Sequence, residues 1–153
     1  MPRHSETKHL PYTPDQLFEL VADVANYDQF LPWVSAVRVR SDSDSEMIAD
    51  LIVGFGAFKE RFTSRVTKDR PRRIMVDYIE GPLKFLKNEW RFDPAPDGGT
   101  DLHFCVDFAF QSRLFEMLAG QMFDRALRRM TGAFEARADA LYGISKSSAH
   151  SAA

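Results

Sequence analysis

Cysteine occurs once in this 153-residue chain, at Cys105, so no internal disulfide can form and a reducing compartment suits it. The four histidines, His4, His9, His103 and His150, show no ligand spacing and no second cysteine joins them, so no metal centre is expected. No apolar run approaches the ~20 residues that span a bilayer. The N-terminus lacks the apolar core of a secretory signal, and Glu6 argues against a transit peptide. The expectation is a cytoplasmic protein, with peripheral contact to the inner membrane left open. Charge of one sign is also missing: the net value of −2 gives no global field toward nucleic acid or an anionic membrane, and no DNA partner is expected. There is no nucleophile elbow, phosphate-binding glycine loop or dinucleotide fingerprint. No cofactor requirement and no enzyme activity are expected from such a chain.

Polar-tipped aromatics are scarce. Four Tyr and two Trp stand against thirteen Phe, and Phe has no polar tip. That skew points to a large dry interior, either a packed core or the lining of an apolar cavity. The length suits one domain, taken as 1–144, followed by a Ser-rich tail at 145–153 expected to be disordered.

In chain order, Arg3 to Leu10 reads as a short polar strand. Thr13-Pro14-Asp15-Gln16 is a helix start with a capping box, and Leu17, Phe18, Leu20, Val21 and Val24 give the helix its apolar face. A helical turn follows at Tyr27–Leu31, stopped by Pro32. From Val34 the period falls to two, and six strands follow to Phe110. Gly54 and Gly56 suggest a bend. Leu102, Phe104, Val106, Phe108 and Phe110 make the cleanest alternation.

Ser112 to Tyr142 reads as one helix, roughly 45 Å long. Phe115, Leu118, Met122, Phe123, Leu127, Met130, Phe134 and Leu141 recur every three or four residues, the period of a single apolar stripe. Short connections require antiparallel strands, so the layers are an antiparallel sheet with this helix across its concave face, an α+β architecture. If contact between them is incomplete, an apolar cavity lies there.

Four segments carry a resemblance. Leu20-Val21-Ala22-Asp23-Val24-Ala25-Asn26-Tyr27-Asp28-Gln29-Phe30-Leu31-Pro32-Trp33 is similar to the opening motif of the coenzyme-Q-binding START-like family. That family includes ribosome-association toxins and belongs to the polyketide cyclase/dehydrase-like group. Glu80–Leu86 with Trp90-Arg91-Phe92, then Asp107–Ser112, then Ala133–Ala138 with Tyr142-Gly143 resemble its later motifs in the right order. Val34 stands where a cysteine is common in relatives.

The resemblance implies a helix-grip (START/Bet v 1-like) fold: a seven-stranded curved antiparallel sheet around the C-terminal helix, with a ligand tunnel between. It also implies a carrier or chaperone of ubiquinone, a polyisoprenoid quinone, that supports respiration. Carried over residue by residue, it places Phe30, Leu31, Pro32 and Trp33 at the tunnel mouth, Gly81, Pro82, Leu83 and Phe85 on the facing loop, and Trp90 on the wall. Parity adds Phe62, Tyr78, Phe108, Met122, Phe123 and Met130 as inward-facing. Pockets of roughly 300–1,000 Å³ would enclose the quinone head and part of a tail, and each buried methylene adds about 0.8 kcal/mol. Tyr78 or Trp90 can donate a hydrogen bond to a quinone oxygen.

Two alternatives accompany this. A ribosome-association inhibitor on the large subunit would use basic groups, and Arg70, Arg72, Arg73 with Arg125, Arg128, Arg129 are candidates for docking to RNA or anionic lipid. A solvated surface explains the same arginines. A polyketide cyclase or dehydrase would need a polar group inside the cavity, and Tyr78 is the only obvious one. Asp50, Asp77 and Asp107 fall on the outer parity and are expected to be solvated.

Overall fold

The computed structural model describes residues 3–55 and 58–143, without the side chains of Phe55 and Phe58. The tail expected at 145–153 and the bend expected at Gly56 lie outside the described residues. Strands β1 (Arg3–Leu10), β2 (Val34–Asp42), β3 (Glu46–Phe55), β4 (Phe58–Asp69), β5 (Arg73–Glu80), β6 (Leu83–Pro94) and β7 (Thr100–Phe110) form one sheet. Its order is β1-β7-β6-β5-β4-β3-β2, every pair is antiparallel, and the sheet is curved. Helix α1 (Pro14–Ala22) and a short 3-10 helix (Val24–Gln29) connect β1 to β2, and α2 (Arg113–Tyr142) closes the fold.

The capping box forms as expected. Thr13 Oγ1 accepts the Gln16 N–H at 3.2 Å, while Gln16 Oε1 accepts the Thr13 N–H at 3.0 Å. Alternation in β7 sends Leu102, Phe104, Val106 and Phe108 into the core and leaves His103, Cys105 and Asp107 half-exposed on the other face.

The two halves of α2 are held differently. Toward its C-terminus, Phe134 meets Trp90, Phe30 and Tyr27 with ring centroids 4.8, 5.0 and 5.3 Å apart. One edge of that half is tied to the start of the chain by side chains four residues apart. The Thr131 hydroxyl donates to Glu6, Lys8 pairs with Glu135 at 2.9 Å, and the Tyr12 hydroxyl donates to Asp139. Burial, then the bond to Asp139, raises the Tyr12 hydroxyl to about 12, so it stays a donor. The N-terminal half is held by rings: Phe123 against Phe108, Phe110 and Phe62 at 4.8, 5.5 and 6.1 Å, and Phe115 against Phe110 at 5.7 Å.

The single stripe expected along α2 is corrected. Leu118, Met122 and Leu141 are exposed, and Met122 does not face inward. Steps of four residues drift by about 40° each around a helix. A chain of such steps, Leu114 to Leu118 to Met122, therefore leaves the face that Phe123, Leu127, Met130 and Phe134 turn to the sheet.

Asp50 is also corrected. It lies on the outer parity, yet it is 4% exposed, accepting Thr63 Oγ1–H at 2.6 Å and Arg40 Nε–H at 2.8 Å. Burial, the largest influence, pushes its carboxyl up, but the bonds from Thr63 and Arg40 and the guanidinium charge outweigh it. The net direction is down. Asp50 thus stabilises the fold above the usual carboxylate range and loses that contribution as pH falls through its depressed folded value. Asp50→Asn should cost about 1–3 kcal/mol in urea unfolding at pH 7, because the amide keeps one acceptor oxygen where buried Thr63 and the Arg40 guanidinium use two, and loses the charge opposite Arg40, and should flatten the acid limb of the stability curve.

Candidate functional site

Between α2 and the concave face lies an apolar hollow of about 140 Å³. Strands β3 to β7 supply its floor through Ala49, Leu51, Phe62, Val66, Ile74, Val76, Leu86, Trp90, Phe104 and Val106. Phe123, Ala126, Leu127, Met130 and Phe134 of α2 form the roof, and Tyr27, Leu31 and Trp33 close one side. It is smaller than the 300–1,000 Å³ of typical ligand pockets. A dry cavity of about 150 Å³ holds one benzene, so this one is ring-sized. A longer ligand must pass its tail out or lift the roof.

From the sheet, Ser64, Tyr78 and Asn88 bring polar groups to the inner face by β parity, while the Tyr27 hydroxyl donates to the Val21 carbonyl. Ser64 is directly opposite Tyr78 across the β4–β5 pair, and Asn88 stands opposite Val76 across β5–β6. Asn88 is engaged: Oδ1 accepts Trp90 Nε1–H at 2.8 Å and Nδ2 donates to the Cys105 carbonyl at 3.0 Å. Trp90 therefore has no proton left for a ligand, which corrects its expected role as a donor. The Tyr78 oxygen accepts the Leu83 N–H at 2.8 Å, leaving its own proton unspent. Burial is the main cause that raises its pKa, so it remains a donor at neutral pH. Ser64 is 9% exposed, and among the described residues its hydroxyl has no hydrogen-bond partner. Among the lining residues there is no carboxylate, histidine, cysteine or cation.

Gly81 explains how Tyr78 is placed. Its φ is +150°, and a Cβ there would fall 2.7 Å from the Tyr78 hydroxyl and 2.8 Å from the Arg61 carbonyl. Only glycine leaves room for the hydroxyl under the Leu83 N–H.

Of the residues expected at the tunnel, Leu31, Trp33, Phe62, Tyr78, Trp90, Phe123 and Met130 line the hollow. Phe108 is buried behind Phe123 rather than on the wall. Phe30, half-buried against Phe134, and exposed Pro32 line an outer groove with Trp33, Arg129, Gly132 and Ala133. Gly81, Leu83 and Phe85 line a separate outer depression that includes Tyr78 and Leu86, and Pro82 is half-buried beside it. Trp33 is the residue that the linings of the hollow and the groove share. Sequence reasoning missed Ser64 and Asn88. Inner parity between Phe62 and Val66 was the available signal for Ser64.

The arginines do not form one patch. Arg70 pairs with Glu19 over the Phe18 ring and Arg73 with Glu89 at 3.5 Å, while Arg72 is exposed in the same β4–β5 turn. Arg125, Arg128 and Arg129 lie on α2, where Arg128 pairs with Asp124 at 2.9 Å.

Comparison with known proteins now decides the family. The description "Polyketide cyclase / dehydrase and lipid transport" matches residues 10–135. The chain belongs to that family. Among curated proteins it is 39% identical over 136 residues to the ribosome association toxin RatA of Rickettsia prowazekii, covering 86% of this chain and 92% of that protein. It is 36% identical over 144 residues to the mitochondrial coenzyme Q-binding protein COQ10 homolog B of Xenopus laevis, covering 92% of this chain and 59% of that longer protein. The solution structure of the 18 kDa protein CC1736 from Caulobacter crescentus superposes with a TM-score of 0.71 at 44% identity, covering 94% and 99%. Among the described residues no helix is long and apolar enough to cross a membrane.

In a family whose description includes lipid transport, a dry hollow should be directly detectable. Xenon or benzene should bind the purified protein one to one and raise its melting temperature. Solution NMR should place the contact at Ala126, Met130 and Val106.

Proposed function

We propose that this chain binds ubiquinone, ring first, in the hollow under α2 and carries it rather than transforming it. The observation that carries the reading is a ring-sized apolar cavity with two unspent hydroxyl protons, from Ser64 and Tyr78, on adjacent strands. A benzoquinone ring is flat, uncharged and bears carbonyl acceptors, which is what such a wall complements. The prenyl tail leaves past Trp33 into the groove beside Arg129, where each methylene removed from water adds about 0.8 kcal/mol. Similarity to a protein named for coenzyme Q binding supports the same cargo. A lining with no carboxylate, histidine or lysine supports a binder over a cyclase: the tyrosines are its titratable groups, and burial raises the Tyr78 pKa, away from base catalysis at neutral pH.

Ribosome association is the second reading, favoured by the Rickettsia relative. Cavity chemistry separates the two. Ala126→Leu fills the hollow from the roof and should weaken ubiquinone-1 binding at least tenfold while the protein stays folded. Ser64→Ala, which removes one neutral hydrogen bond of about 0.5–1.5 kcal/mol, should weaken it roughly three- to tenfold. If the wild type binds no ubiquinone-1 but co-sediments with large ribosomal subunits, and Ala126→Leu does too, the ribosome reading replaces the first.

A further inference from the structure

The N-terminal half of α2 carries a second apolar stripe that touches nothing in the protein's core. Met117 is 80% exposed, Leu114 65%, Leu118 53% and Met122 41%. With 100° between successive residues, Leu114, Leu118, Gln121, Arg125 and Arg129 share one line, directed away from Phe123 and Met130. Exposed side chains of this size, grouped on one face, mark an interaction surface.

The charge along that line is basic. Arg125 and Arg129 have no ion pair among the described residues, whereas Asp124, at its edge beside Met117, is held by Arg128 and Glu116 lies toward the opposite side of the helix. Unpaired arginines beside exposed Leu and Met are the composition of a helix lying in a lipid interface, with apolar side chains in the acyl region and guanidiniums at anionic headgroups.

The stripe also leads somewhere. Past Arg129 it continues to Gly132, and both line the outer groove whose inner wall is Trp33. Trp33 is in turn the residue that groove shares with the hollow.

We propose that the outer face of α2 from Leu114 to Arg129 docks the protein on an anionic lipid bilayer, setting the Trp33 groove against the membrane surface as the way in for a lipid-soluble ligand. The choice of a bilayer over a protein partner rests in part on the proposed cargo, so the test uses vesicles that contain no quinone. The docked helix lies parallel to the membrane plane. Its Leu and Met side chains enter the interface.

Flotation with phosphatidylethanolamine vesicles containing 30% phosphatidylglycerol, beside pure phosphatidylcholine vesicles, reads the docking directly. The wild type should float with the anionic vesicles and bind the neutral ones at least tenfold more weakly, and added salt should release it. Met117→Glu with Leu118→Glu should abolish flotation. Arg125→Glu should weaken it at least threefold. All three positions are solvent-facing, so both variants should keep the wild-type melting temperature and bind ubiquinone-1 in solution as before. Flotation without ubiquinone-1 binding would remove the proposed cargo and leave the docking surface standing. The proposal is overturned if the wild type floats with neither vesicle or the Met117/Leu118 variant floats as well as the wild type. It is equally overturned if light scattering shows a stable dimer that this variant splits, since the stripe then covers a second copy.

Discussion

The seating of one long helix on a curved sheet governs this molecule. A straight rod cannot touch a concave surface along its whole length, so contact concentrates where side chains are large enough to reach. Phe134 and the ties to Glu6, Lys8 and Tyr12 close the C-terminal half, and Phe123 with Phe115 closes the N-terminal end. Between these two contacts the helix offers Ala126, Leu127 and Met130, and Ala126 does not bridge the gap. The hollow is the space between those seats.

Different physics at the two seats gives the helix its polarity. The C-terminal half is fixed by directional polar pairs that specify one position, while rings hold the N-terminal half through contacts that tolerate sliding. The half with the looser seat also bears the exposed Leu and Met stripe. An element that must both cover a cavity and meet a second surface is served by that division, since local opening begins where the fewest specific contacts hold.

Much of the fold was legible because it rests on short-range rules. The capping box at Thr13, the alternation of Leu102 to Phe110 and the long helical period each rest on one strong local signal. The exposed face of α2 was not, because a chain of three- and four-residue steps does not distinguish one broad stripe from two opposed ones. Leu118 and Met122 satisfied the spacing and sit on the wrong side. Asp50 followed its parity outward but met Thr63 and Arg40 there, and burial on an outer face depends on neighbours that periodicity does not contain. At the site, resemblance and parity brought Leu31, Trp33, Tyr78 and Met130 to the hollow. They passed over Ser64: parity with Phe62 and Val66 placed it inward, but a small hydroxyl residue among apolar neighbours does not itself mark a ligand wall. Cavity size was invisible because it depends on which small residues, Ala49 on the sheet and Ala126 on the helix, end up lining the same space, and periodicity does not contain that.

The methionine methyls offer the most direct reading of where a ligand sits. Met130 lines the hollow, Met117 is on the exposed stripe, and Met47 is buried in the core outside the cavity wall. Methyl NMR of the protein titrated with ubiquinone-1, without lipid, should shift Met130 in a saturable one-to-one manner and leave Met117 and Met47 in place. A titration that moves Met117 alone, or moves none of the three, would contradict a ligand seated between helix and sheet.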